Sequence, residues 1–266
     1  MGNPLNHRPR KRFGQNFLHD PVVIDKIISA IHPQPSDTLV EIGPGQGAIT
    51  LPLLQAGGRL TVIELDRDLV EPLQRRCSGQ GDLQVHNSDA LEFDFCAIAP
   101  ASGLRVVGNL PYNISTPLLF HLLDQHRCIS DMHFMLQKEV VDRMAARPGN
   151  GQYGRLSVML QYRCRVTPLF NIGPGAFRPP PRVTSAFVRL EPYHEPPVQI
   201  ADAALFATLV KQAFSQRRKT LRNTLRDLMD AGEIEALGID PSVRAETLDL
   251  ATFAALANRL GELQQS

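Results

Sequence analysis

Cysteine is scarce in this chain of 266 residues, and its four copies (Cys77, Cys96, Cys128 and Cys164) lie far apart. No CxxC pair and no neighbouring histidine pattern offers a structural zinc site, and scattered thiols suit a reducing cytoplasm. Excess charge is absent too. The 28 Lys and Arg residues against 27 Asp and Glu leave a net charge of +1, so the bulk balance announces no polyanionic partner. No stretch approaches the roughly 18 apolar residues of a membrane span. The amino-terminal "MGNPLNHRPRKRFGQNF" lacks the apolar core of a secretion signal, and the residues after Gly2 lack the Ser or Thr that myristoylation needs. There is no internal repeat and no low-complexity tract. The expectation is a soluble cytoplasmic protein without metal, with no feature demanding an oligomer.

What is present is a hydrophobic content of 43%, enough for one sizeable core with a smaller appended domain. Candidate strands are "TLVEIG", "LTVIEL", "LQVHNSD", "LRVVGNL", "MHFMLQ", "LSVMLQYRC" and "SAFVRLE". The first four are near-continuous apolar runs, as parallel strands covered on both faces require. Helical patterns alternate with them, among them "AITLPLLQAG", ending at Gly57-Gly58, and "RDLVEPLQRRC", ending near Ser78-Gly79. The alternation predicts a doubly wound, mostly parallel α/β sheet, antiparallel at the end where the last two candidates follow each other directly. The proline-rich "EPYHEPPVQI" (191–200) breaks this pattern, and three helical segments follow: "ADAALFATLVKQAF", "RKTLRNTLRDLMDA" and "TFAALANRLGEL". The expected division is a basic arm over 1–20, an α/β domain over 21–192 and a helical domain over 193–266.

"VEIGPGQGAIT" follows the first of these strands and opens a helix. Gly43, Gly45 and Gly47 let the backbone turn tightly and approach a ligand with no Cβ in the way. Gly43, Gly45 and Ala48 also satisfy the looser dinucleotide pattern GxGxxA, with Glu64 about 20 residues downstream. Alone, the loop separates neither a nicotinamide enzyme from a methyl-donor enzyme nor either from a turn built for packing. Glu64 closes the second strand, where a carboxylate accepts hydrogen bonds from both hydroxyls of a ribose. Asp89 closes the third, placed to accept from an exocyclic amine or, alternatively, to cap the next helix. Successive strand ends are where open α/β sheets bind ligands, and this ordering resembles S-adenosylmethionine-dependent methyltransferases.

"NLPY" (109–112) at the end of the fourth strand resembles the catalytic motif of enzymes that methylate exocyclic amines of nucleobases. The N6 amine of adenine is a poor nucleophile because its lone pair is delocalised into the ring. Acceptors around it, the Asn109 side-chain oxygen and the Leu110 carbonyl, would hold its protons and favour a pyramidal nitrogen. Pro111 stiffens the turn and supplies no competing donor, while Tyr112 offers a face for stacking. Catalysis of this kind is orientation and electrostatic preorganisation. Phe177, in "GAFRPPPRVTSAF", is the candidate for a second wall, each stack contributing about 1–3 kcal/mol; a plain core anchor is the alternative.

Most of the length then resembles one family. "RFGQNFLHD", "EIGPGQG", "ELDRDL", "NSDAL", "NLPYNIS", "LQKEVVDRM", "YGRLSV", "FRPPPRVTSAF" and "FSQRRKTLRN" look like the small-subunit ribosomal RNA adenine dimethyltransferases, whose loss gives kasugamycin resistance. The resemblance implies a seven-stranded sheet and two methyl groups placed on N6 of each of two adjacent adenosines in the 3′-terminal hairpin loop. It implies S-adenosylmethionine as donor, and small-subunit RNA in an immature particle as partner. Asn16 and Leu18 at the donor's amino-acid end rest on the resemblance only; with them go the Gly43 backbone, Glu64 at the ribose, Asp89 at the donor adenine and Asn109 between donor and target. Arg182 keeps the charge where lysine is often seen.

Two acid-free basic clusters complete the pattern. One is the arm of His7, Arg8, Arg10, Lys11 and Arg12. The other is Lys211, Arg217, Arg218, Lys219, Arg222 and Arg226, of which 211, 218, 222 and 226 would share one helix face opposite Val210, Phe214, Leu221, Leu225 and Leu228. On a near-neutral protein such clusters suit a phosphate-tracking surface. The rivals are a large-subunit adenine methyltransferase of the macrolide-resistance type, a non-catalytic ribosome-assembly factor, and a nicotinamide dehydrogenase, for which no hydride-handling acid/base group follows the glycine loop.

Overall fold

The computed structural model describes residues 16–56 and 59–265; Arg10, Lys11, Arg12, the rest of the basic arm and Gly57-Gly58 lie outside them. The first elements are β1 (Phe17–Leu18), α1 (Pro21–Ile31), β2 (Thr38–Ile42), α2 (Thr50–Gln55), β3 (Arg59–Ile63), α3 (Arg67–Cys77), β4 (Asp82–His86), β5 (Leu104–Asn109) and α4 (Ser115–Asp124). Next come β6 (Ile129–Gln137), α5 (Lys138–Ala145), α6 (Arg155–Arg163), β7 (Cys164–Ile172), β8 (Phe177–Arg178) and β9 (Ser185–Pro192). The chain closes with α7 (Ala203–Ala213), α8 (Leu221–Thr224), α9 (Ala231–Ala236) and α10 (Leu250–Leu263).

The main sheet has seven strands in the order β4-β3-β2-β5-β6-β9-β7. Parallel pairing runs from β4 to β6, and β9 joins β6 antiparallel. Leu39, Val40, Leu60, Val62, Val106 and Val107 are buried, which is why these strands carry apolar residues on both faces. The helices are cut by local chemistry. Asp20 caps α1 by accepting the Val22 and Val23 amides, Pro21 opens its first turn, and His32 ends it in the left-handed region. In α3 the buried residues Leu69, Leu73 and Cys77 recur every four positions. β5 can lie against β2 only because residue 108 is glycine; a Cβ there would stand 2.7 Å from the Ile42 carbonyl oxygen.

The structure falls into two compact units, one of residues up to Val141 with Thr167–Pro192, the other of Asp142–Val166 with Tyr193–Ser266. The second unit has its own core of Tyr153, Tyr162, Phe206, Leu225, Phe253 and Leu256 among others. Its boundary differs from a simple cut at 192, because 142–166 join it.

Three expectations are corrected. "LSVMLQYRC" is not a strand. Leu156, Val158, Leu160 and Tyr162 are all buried, and a helix buried around most of its girth gives the alternating apolar pattern of a strand. The helix α6 ends where the run ends, and β7 begins at Cys164. Residues 211–226 are not one helix either: α7 stops at Ala213 and a turn intervenes before the four-residue α8. Val210, Leu221 and Leu225 are buried as expected, but from two elements, so the shared cationic face of 211, 218, 222 and 226 does not exist in that form. Finally, two cysteines are paired. Cys96 and Cys128 form a disulfide with Cα atoms 5.4 Å apart, while Cys77 and Cys164 are buried thiols. The pair precedes β5 and β6, parallel neighbours whose preceding turns are brought side by side.

Candidate active site

At the carboxyl edge of the sheet, Ile42 lies level with Ile63 on one side and Gly108 on the other. The residues that follow these strands therefore leave the sheet side by side, at the point where the chain winds away in both directions. The Gly43 amide donates to the Ile63 carbonyl at 2.9 Å and the Glu64 amide to the His86 carbonyl at 3.0 Å, tying together the exits of β2, β3 and β4. A cavity of about 140 Å³ opens there. Its lining includes Asn16, Leu18, Gly43, Gly45, Glu64, Asp89, Asn109, Leu110, Pro111 and Tyr112. Ten of the residues singled out from the sequence thus meet in one place.

The glycine loop has left-handed backbone at Gly43, Gly45 and Gly47, with φ of 66°, 57° and 78°. A Cβ on Gly45 would come within 3.1 Å of the Phe17 ring. Phe17 belongs to β1, which pairs antiparallel with β8 and carries Asn16 and Leu18 to the cavity. Glu64 is buried, and its two carboxylate oxygens accept the Gly45 amide at 3.2 Å and the Asp66 amide at 2.8 Å. Burial raises its pKa, and those backbone donors oppose the rise. The Asn87 side chain donates from Nδ2 to the Glu64 carbonyl at 2.7 Å, holding the next loop close. Asp89 closes a turn, not a helix: its Oδ1 accepts the Leu91 amide at 2.9 Å.

Asn109 is fixed by a contact across 93 residues, its Nδ2 donating to the Asn16 carbonyl at 3.0 Å. That leaves the amide oxygen as the atom for an incoming donor. The Leu110 amide donates to the Met135 carbonyl at 3.2 Å, which anchors the turn to β6. Tyr112 is half-buried, with its hydroxyl 2.7 Å from Ser185 Oγ; burial raises the phenol pKa and the serine contact opposes that rise.

Phe177 is a correction. It is 2% exposed and sits in the core with Leu18, Ile27, Ile172 and Phe187, outside the cavity lining. Pairing of β8 with β1 sets it opposite Leu18, so it anchors the strand that reaches the cavity and is not a second wall. Lys211, Arg217, Arg218, Lys219 and Arg222 are exposed on the helical unit. Arg217 faces Glu246 at 3.6 Å.

Two lining groups with buried polar atoms escaped the sequence reading. Glu41 is 1% exposed and accepts from Thr50 Oγ1 at 2.6 Å; burial first, with Glu64 nearby, pushes its pKa up to about 8. An acid inside the apolar run "TLVEIG" was the available signal. The other is Ser88, whose Oγ is buried at the cavity wall without a hydrogen-bond partner among the described residues. An orphaned hydroxyl, a cradle that a Cβ would crowd and a buried carboxylate fit a nucleoside ligand with polar groups to satisfy. Among the described residues there is no cluster suited to a metal and no helix long and apolar enough to cross a membrane.

The family model described as ribosomal RNA adenine dimethylase matches residues 6–262. A protein of Pseudomonas aeruginosa named ribosomal RNA small subunit methyltransferase A is 58% identical over 264 residues, covering 99% of this chain and 98% of its own. Among solved structures, a dimethyladenosine transferase from Plasmodium falciparum aligns with a TM-score of 0.78 at 27% identity, over 93% of this chain and 97% of that one. The 23S rRNA methyltransferase ErmE aligns with a TM-score of 0.71 at 24% identity, over 92% and 100%, a likeness of fold.

Proposed function

The chain belongs to the ribosomal RNA adenine dimethylase family, and from that membership we propose that it transfers two methyl groups to N6 of each of two adjacent adenosines in the 3′-terminal hairpin loop of small-subunit ribosomal RNA. S-adenosylmethionine, when bound, supplies an electrophilic sulfonium methyl. The residues around the cavity would hold it as follows: Asn16, Leu18 and the Gly43 backbone at the amino-acid end, Glu64 at the ribose hydroxyls, and Asp89 at the exocyclic amine of its adenine. Gly45 gives room for close approach. Glu64 already accepts from two backbone amides, which fixes its plane and leaves lone pairs for hydroxyl donors.

The observation that carries the reading is the hydrogen bond from Asn109 Nδ2 to the Asn16 carbonyl. It orients the amide so that Oδ1 accepts an N–H of the target amine, with the Leu110 carbonyl accepting the other. Both acceptors draw the amine out of conjugation, restoring a lone pair on nitrogen. Pro111 keeps the turn rigid and Tyr112 supplies a stacking face. The proton becomes acidic only as nitrogen is alkylated, so orientation does most of the work. The exposed cations of the helical unit, with the basic arm, would track phosphates and set register. The partner is an immature small subunit in the cytoplasm, met by a monomer.

A large-subunit target is not favoured, because the small-subunit relative is 58% identical and ErmE 24%. An assembly factor without activity has no need of the oriented Asn109. The test is transfer of radiolabelled methyl to small subunits lacking the modification, with large subunits in parallel. Label recovered as N6-dimethyladenosine in small-subunit RNA, and lost by about 10²–10³-fold in Asn109→Ala, is the expected result. Label confined to large subunits, or none at all, overturns the reading.

A further inference from the structure

The Tyr112 hydroxyl does not face an open site. It meets Ser185 Oγ at 2.7 Å, and Ser185 is fully buried, at 0% exposure. Ser185 opens β9, opposite Gln137 of β6, and β6 in turn borders β5 on its other side. The neighbouring Thr184 carbonyl accepts the Lys138 amide at 2.9 Å, so the backbone at this point is held as firmly as the side chain. Tyr112 is thereby gripped twice, at its Cα by the prolyl turn and at its far end by a hydroxyl that belongs to the sheet. A ring with one end free swings about χ1 and χ2; one fixed at both ends keeps a single plane. A stacking wall is useful in proportion to how little it must be ordered when the base arrives.

We propose that Ser185 is a positioning residue for methyl transfer, fixing the plane of the Tyr112 ring through their shared hydrogen bond so that the target base is received on a preformed face. This rests on the proposed reaction, and it gives the tyrosine hydroxyl a positioning role. The exposed segment just before Ser185 carries Arg178 and Arg182, so chain that faces solvent and chain that holds the ring are continuous.

The experiment is a double-mutant cycle with Ser185→Ala, Tyr112→Phe and the pair together, assayed on small subunits lacking the modification. Removing either partner of one neutral hydrogen bond should lower kcat about three- to tenfold. The double variant should fall no further than either single one, and Ser185→Thr should restore most of the loss. Affinity for S-adenosylhomocysteine, measured by calorimetry, should stay within about twofold, which a misfolded site would not allow. Wild-type kcat in Ser185→Ala, or effects that multiply in the double variant, overturn the inference. A wild-type protein that transfers no methyl would instead sink the proposed reaction. Ultraviolet titration of the phenol would then still decide the contact: with the serine hydroxyl opposing the effect of burial, Ser185→Ala should move Tyr112 ionisation to higher pH, and an unmoved titration would refute it.

Discussion

Glu41 is held in its neutral form by its surroundings, and this should be visible in the stability of the protein. Its pKa rises from the ordinary 4.5 to about 8, burial being the largest cause. Between those values the folded chain keeps a proton that the unfolded chain releases, so stability falls as pH rises, at about 1.4 kcal/mol per pH unit. His133 acts in the other direction. Burial lowers it from 6.5 to about 4, so in that interval the unfolded chain binds the extra proton and stability rises with pH. The two slopes oppose each other below pH 6.5; above it that of Glu41 continues, with Glu64 shifted in the same direction. Over the remaining 1.5 units to pH 8, Glu41 by itself should lower wild-type stability by about 2 kcal/mol. Glu41→Gln keeps an oxygen for the Thr50 hydroxyl and removes the titration. Urea unfolding followed by circular dichroism, at about pH 6.5 and 8, gives the comparison. The variant should be flatter than wild type by about 2 kcal/mol over that interval. Equal slopes would refute the assignment of a neutral Glu41.

Two further outcomes test the donor cradle and the RNA surface. Gly45→Ala forces a left-handed φ of 57° on a residue with a Cβ and presses that Cβ on Phe17, costing about 1–2 kcal/mol. Calorimetric affinity for S-adenosylhomocysteine should drop about tenfold, and wild-type affinity would remove the cradle from the argument. Replacing Arg217, Arg218 and Lys219 together by alanine should weaken binding to undermethylated small subunits and flatten its logarithmic salt dependence by about two to three. An unchanged salt slope would take the phosphate contacts elsewhere.

Much of the fold was legible because burial on both faces leaves a continuous apolar run. β2, β3 and β5 follow that rule, whereas β4, expected to do the same, lies at the sheet's edge with no fully buried residue; α3 shows the four-residue spacing of a single buried stripe. The same rule failed at α6. A helix covered on most sides loses its polar face, and the order Leu156, Val158, Leu160, Tyr162 then reads as alternation. The break between α7 and α8 was hidden for a related reason. Val210, Leu221 and Leu225 keep an apolar spacing that suits one long helix, although they pack from two elements into the same core.

The candidate site divides along the same line. Gly43, Glu64, Asp89 and Asn109 each stand at or just beyond the end of a strand, so strand order alone brings them to one crevice. The target side is assembled by contacts between distant segments. Asn109 is oriented by Asn16 across 93 residues and Tyr112 is held by Ser185 across 73. No local pattern announces such partners, and Phe177 shows the cost of placing a residue without them. Its motif position suggested a base-stacking wall, yet strand pairing with Leu18 puts the ring in the core. Donor recognition can be inherited from the sheet's topology, whereas the geometry that selects and presents a base depends on tertiary hydrogen bonds. Substitution of Ser185 should therefore alter catalysis while leaving every sequence motif around the glycine loop intact.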